Sequence, residues 1–173
     1  MKLKNKNKSE VLFNEANAEL DNKNFSKAAD LLDAAIREGC VAAINTLAVC
    51  YYDGTGRKKD RAAAILLWHR AARLGDICAM GGLGVVYRDE GKFNLAEKWF
   101  LRGVAAGDPG YAIQLAKLQL RRKTRAAAVL ASLNLTVATQ GAENSLLSEA
   151  EEEEIEELQR KVKKLRLPAV SSG

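Results

Sequence analysis

The chain has one histidine, His69, set in a helix-forming stretch with no serine or cysteine nucleophile beside it. General-base and nucleophilic catalysis therefore have no visible apparatus. Cys40, Cys50 and Cys78 make no Cys-x-x-Cys pair and neighbour no histidine cluster. That usage fits reduced, buried or half-buried structural thiols better than a metal site or disulfide framework. Gly54-Thr55-Gly56 lacks the lysine that a phosphate-binding loop carries, and Glu151 to Glu154 form an acidic run on one helix rather than a spaced ligand set. No catalytic residue, metal or cofactor is expected. What remains is recognition. Arg57, Lys58, Lys59 and Arg61 form one basic cluster, and Arg121, Arg122, Lys123 and Arg125 another, and the two are expected to belong to an outward basic rim along one edge of the molecule. Such clusters can steer an acidic protein or a nucleic acid, or can simply be solvated edges. No nucleic-acid motif or interleaved aromatic platform accompanies them, so a protein or peptide partner is expected, with no nucleic acid and no small-molecule substrate.

The elements that carry these residues are punctuated by glycine. Helix-forming stretches run up to Gly39, Gly75, Gly107 and Gly141, at intervals of 36, 32 and 34 residues. A period between about 20 and 50 residues indicates stacked repeats. Within each interval the apolar positions recur at helical spacing and divide into a helix A, a polar turn and a helix B. The expected pairs are Glu10 to Asp21 with Phe25 to Glu38, Val41 to Asp53 with Asp60 to Leu74, Ile77 to Glu90 with Phe93 to Ala106, and Gly110 to Arg122 with Thr124 to Gln140. Counting back from each glycine, eleven residues give Ala28, Ala64, Ala96 and Leu130, and eight give Leu31, Leu67, Trp99 and Leu133. Four residues give Ala35, Ala71, Gly103 and Val137. These are the expected helix contacts, since close approach of two helices needs small side chains at the crossing.

Ala43, Leu47, Ala48, Tyr51, Gly54 and Gly56, followed by Asp60, Ala64, Trp68, Ala71, Ala72 and Gly75, resemble the Sel1-like repeat, a relative of the tetratricopeptide α/α solenoids. Ala79, Leu83, Gly84, Tyr87, Gly91, Ala96, Trp99 and Gly107 resemble it again with a shorter turn. In the fourth unit the likeness weakens, Gln119 standing in the place of Tyr51 and Tyr87. The resemblance implies an all-α fold: a right-handed superhelix of about four helix pairs whose A helices line a concave face. It implies protein or peptide binding and no catalysis. On that reading Phe13, Asn17 and Leu20 face the groove, followed by Asn45, Val49 and Tyr52, by Gly81, Val85 and Arg88, and by Ile113, Lys117 and Leu120. Asn17 and Asn45 could pair with a peptide backbone, Arg88 and Lys117 with a carboxylate, and Phe13, Tyr52 and Ile113 could be apolar anchors. A register shifted by one would instead place several of these inside the stack.

The 173 residues, 47% hydrophobic, 28% charged and 6% aromatic with two prolines, suit one soluble α-helical domain. The net charge of +5 is uneven, +8 up to Ala142 and −3 beyond. Ser148 and Glu151 form a capping box, and the helix that follows is acidic first and basic last, matching its dipole. Glu156 with Arg160 and Glu157 with Lys161 are favourable i,i+4 pairs. Its stripe Ile155, Leu158, Val162 and Leu165 is expected to cap the last repeat, or else to form a dimer seam or docking helix. The expected organisation is a basic disordered segment over 1–9, the repeat domain over 10–141, the charged helix over 142–167 and a tail over 168–173. No apolar run long enough for a signal peptide or a membrane span is present, so a cytoplasmic protein that does not engage membranes is expected. A bacterial protein-binding adaptor is expected, with a toxin-blocking immunity protein or inhibitor and a secretion chaperone of the tetratricopeptide type as the alternatives that satisfy the same pattern.

Overall fold

The computed structural model describes residues 2–142 and 148–166, with the side chains of 2–7, 125, 126, 141, 142 and 166 left aside. Among the described residues the chain is all-α: α1 Lys2–Asp21, α2 Phe25–Arg37, α3 Val41–Asp53, α4 Arg61–Arg73, α5 Ile77–Asp89, α6 Phe93–Ala105, α7 Gly110–Leu120, α8 Arg125–Ala142 and α9 Glu149–Arg166. The expected A and B helices are found within a residue or two at nearly every end. At the N-terminus the first helix starts at Lys2 rather than Glu10, so the basic segment continues α1. The expected tail over 168–173 lies outside the described residues.

The chain divides into two compact units, Met1–Val86 and Tyr87–Gly173. In the first, α1 packs on α2, α2 on α3 and α3 on α4. Its core joins Ala16, Ala29, Leu32, Ala35, Ala43, Leu47 and Cys50, all buried, with Phe13, Leu20 and Tyr51 partly buried against them. Alanines predominate because helices meeting at close range leave room for little else. Cys50 is buried and Cys40 half-buried, whereas Cys78 is exposed, contrary to the expectation of three shielded thiols. Burial pushes the Cys50 thiol above its ordinary range.

In the second unit α7 packs on α6 and α8, and α9 on α8 and α7. Ala112, Ile113 and Ala116 of α7, Ala128, Ala131, Leu135 and Ala138 of α8, and Ile155, Leu158 and Val162 of α9 make one core. The stripe of α9 is therefore packed inside the unit, against α7 and α8. Its capping box forms as expected, with Ser148 N–H donating to Glu151 Oε2 at 3.0 Å and Glu151 N–H to Ser148 Oγ at 3.4 Å.

One expectation fails instructively. Gly39, Gly75 and Gly107 have φ of 94°, 90° and 107°, and the residue after each donates its N–H to the carbonyl five residues earlier. That is the left-handed closure glycine permits. Gly141 instead lies within α8, which runs on to Ala142. The repeat frame is set by helix starts. Four residues after Asn24, Asp60, Lys92 and Thr124 come Ala28, Ala64, Ala96 and Ala128, all 0% exposed. Eleven residues after these alanines come Gly39, Gly75, Gly107 and Thr139. With threonine in the terminating place the helix has no left-handed stop there, and the count from Gly141 is two residues out. Leu130, Leu133 and Val137, expected at contacts, are 45%, 60% and 41% exposed, and Ala128, Ala131 and Leu135 take the buried places.

Candidate partner-binding surface

In the first unit α3 presents Asn45, Val49 and Tyr52 at spacings of four and three, one face of a helix. Val49 is exposed, and Asn45 and Tyr52 are half-buried. Behind them stands Trp68 of α4, 4% exposed. Its Nε1–H donates to Asn45 Oδ1 at 3.0 Å, and its ring lies 5.4 Å from that of Tyr52 at an interplanar angle of 52°. The Arg61 guanidinium sits 5.4 Å from the Tyr52 ring centroid. Trp68 can lie so close to α5 because Gly82 has no side chain, and a Cβ there would come within 2.7 Å of Trp68 Cε2. The four side chains thus form one supported cluster, with Val49 uncovered at its surface. The Asn45 carbonyl oxygen is occupied, leaving its Nδ2 hydrogens for a ligand carbonyl.

Trp68 was not among the expected site residues. The signal existed: a buried tryptophan requires an acceptor for its N–H, and Asn45 is the neutral acceptor on the partner helix. On α1, Phe13 and Leu20 lean into the first core, and Asn17 is half-buried. Gly81 of α5 is buried, and Val85 is half-buried.

In the second unit the expected groove positions are engaged by the chain itself. Ile113 is 3% exposed beneath α9, so it is a core residue and no anchor. Lys117 pairs with Glu154 of α9, and Leu120 packs on the same core. Arg88 donates to Gln114 Oε1 at 3.3 Å and to Asp89 Oδ1 at 3.0 Å. For Ile113, Lys117 and Leu120 the physical reason is α9, which supplies the apolar cover and the carboxylate that a ligand was expected to supply, whereas Arg88 is engaged by α7 and by its own neighbour.

The basic clusters are likewise partly neutralised. Arg57 Nη2 donates at 2.8 Å to both Asp30 Oδ1 and Asp33 Oδ2 of α2, and these bonds, Asp33 first, raise its pKa further. Lys58 and Lys59 are exposed in the same turn. Arg121 stacks 4.1 Å from the Phe93 ring centroid, and Arg122 bonds Glu97 at 3.1 Å. Lys123 is exposed in a left-handed conformation, φ 49°, and the Arg125 side chain lies outside the described residues. The two clusters belong to different units. Among the described residues no group of three or more His, Cys, Asp or Glu is placed to hold a metal, and no helix is long and apolar enough to cross a membrane.

The Sel1 repeat model matches residues 41–76 and 77–108. No curated protein sequence matches the chain. Among solved structures, a Sel1 repeat protein from Oxalobacter formigenes is similar with a TM-score of 0.65 at 20% identity, over 77% of this chain and 58% of that one. A protective antigen present in uropathogenic Escherichia coli strains, displaying an SLR fold, is similar with a TM-score of 0.62 at 14% identity, over 90% of this chain and 46% of that one. This chain thus spans less than two thirds of either relative, and at these identities the likeness concerns the fold. Matched repeats, helix pairs and glycine closures agree: residues 41–76 and 77–108 are two Sel1 repeats, set in a chain whose described residues form an all-α helical-repeat fold.

Proposed function

We propose that this chain is an interaction scaffold that holds another protein or a peptide on the α3 face of its first unit. Sel1 repeats are in general a protein-binding fold, and one observation carries the more specific reading. Val49 is 41% exposed between Asn45 and Tyr52, on a surface that Trp68 and Gly82 hold rigid from behind. A fixed apolar side chain beside an amide donor and an aromatic ring is what an extended peptide needs for an anchor and a backbone bond. Lys58 and Lys59, exposed in the turn that follows α3, favour a ligand with acidic residues beside its apolar anchor. The α7 face is the weaker candidate, because α9 already covers it.

The test is selection of peptides on the immobilised chain from a random library, followed by affinity measurement. Val49→Asp should weaken the selected peptides by about tenfold or more, as loss of a central anchor does. Leu66→Asp, at a residue 69% exposed on α4, should leave them unchanged. Equal affinity for wild type and Val49→Asp would remove α3 from the reading. Asn45 is a poor probe here, because its replacement also strips Trp68 of its acceptor.

A further inference from the structure

The outer face of α8 is unlike those of the other B helices. Val129, Leu130, Leu133 and Val137 are 44%, 45%, 60% and 41% exposed, and their spacing places them on one side. Between 126 and 142 the sequence has no charged residue. Leu66 and Leu74 on and after α4 are exposed among Arg61, Arg70 and Arg73, and Leu95 and Leu101 of α6 among Lys98 and Arg102. Those leucines are isolated in charge, whereas the α8 face is a continuous uncharged stripe that water would leave uncovered at a cost.

A second observation selects its occupant. Ser132 and Thr136 at one border of the stripe face Gln159 and Lys163 of α9 across a small cleft. The α9 edge along that border reads Glu152, Glu156, Gln159 and Lys163, at spacings of four, three and four. It is acidic before Gln159 and basic after it, so it complements its own reverse.

We propose that α8 is the contact helix of a symmetric dimer, with a second copy of this chain laid antiparallel on Val129, Leu130, Leu133 and Val137. A two-fold axis across the stripe near Thr136 reverses α8 and α9 together. Leu133 of one copy then meets Val137 of the other, and Glu156 of one copy meets Lys163 of the other. No like charges oppose each other on the uncharged stripe. A different protein has no such reason to match both the bare stripe and the graded edge beside it. Four apolar side chains per copy fall well below the roughly 800 Å² per partner of a stable interface, so association is weak and concentration-dependent. The inference is independent of the α3 binding surface.

Sedimentation equilibrium of the full chain from about 1 µM to about 500 µM is the test, since weak interfaces dissociate in this range. The weight-average mass should rise toward twice the monomer. Leu133→Asp should hold it at the monomer value while circular dichroism and melting stay as in wild type. Glu156→Lys and Lys163→Glu should each weaken association severalfold, and the double variant should restore it. A monomer at every concentration overturns the proposal and leaves the stripe to a different partner. A dimer indifferent to Leu133→Asp, or charge reversals that fail to compensate each other, overturns it as well.

Discussion

The indole N–H of Trp68 on α4 donates to Oδ1 of Asn45 on α3 across 3.0 Å, tying together the two helices of the first Sel1 repeat. Trp68 is 4% exposed, so with Asn45 in place its N–H is shielded from bulk water and relies on that acceptor. Asn45→Ala should cost about 1 to 3 kcal/mol, the penalty of an unsatisfied buried donor. Trp68→Phe removes the donor instead of the acceptor. In a double-mutant cycle by urea denaturation, Asn45→Ala should cost much less in the Trp68→Phe background. Additive losses would mean that the bond contributes nothing.

Gly82 is the other support of this tryptophan. Alanine in an exposed helix is better than glycine by about 1 kcal/mol, which alone would make Gly82→Ala stabilising. The added Cβ would stand 2.7 Å from Trp68 Cε2, and the indole is held at its other side by Asn45 and Tyr52. Overpacking of about 1 to 3 kcal/mol should win, so the variant should melt lower. Trp68 emission should also change, because the ring has to move.

Arg57 was expected to belong to an outward basic rim and instead bridges Asp30 and Asp33. Arg57→Ala should lower stability by about 1 kcal/mol or less, because the two carboxylates are substantially exposed and solvent screens them. Lys58→Glu and Lys59→Glu should leave stability within about 0.5 kcal/mol of wild type. Binding of an acidic peptide should respond in the opposite order, weakly to Arg57→Ala and strongly to the lysine reversals. Titration with an acidic peptide alongside thermal melts checks both rankings.

Glu151 is held below the usual carboxylate range by the Ser148 backbone N–H and then by the Ser148 hydroxyl. A carboxylate with a depressed folded pKa stabilises the fold above its unfolded pKa, about 4.3 for Glu, and loses that contribution as pH falls through the folded value. Ser148→Ala removes the hydroxyl partner and the cap. It should cost about 0.5 to 2 kcal/mol at pH 7. The Glu151 titration followed by carboxyl carbon NMR should move up toward the ordinary value, and the stability difference between the two proteins should shrink below pH 4. A difference that persists undiminished at low pH would place the effect elsewhere.

The helix pairs were legible because their cause is local: apolar spacing, turn residues and three glycine stops each act within one turn of helix. What escaped depends on contacts between elements. Ile113 has the composition of a groove anchor, and only the docking of α9 makes it core. Asn45 reads as a free amide until Trp68, 23 residues away, is seen to need it. The fourth repeat was misframed because Gly141 imitates a stop two residues beyond the position that Thr139 occupies.

That misframing yields a test in which two identical substitutions should act in opposite directions. Gly75 has φ of 90°, where an L side chain is strained, so Gly75→Ala should destabilise by about 1 kcal/mol despite open space around its Cβ position. Gly141 lies inside α8, where glycine is worse than alanine by about 0.5 to 1 kcal/mol, so Gly141→Ala should stabilise. Near the end of a helix the gain should fall at the lower limit, because fraying already relaxes the last turn. Thermal melts of the two variants beside wild type give the signs directly. If Gly141→Ala also melted lower, Gly141 would be a genuine stop and the fourth repeat would follow the glycine frame after all.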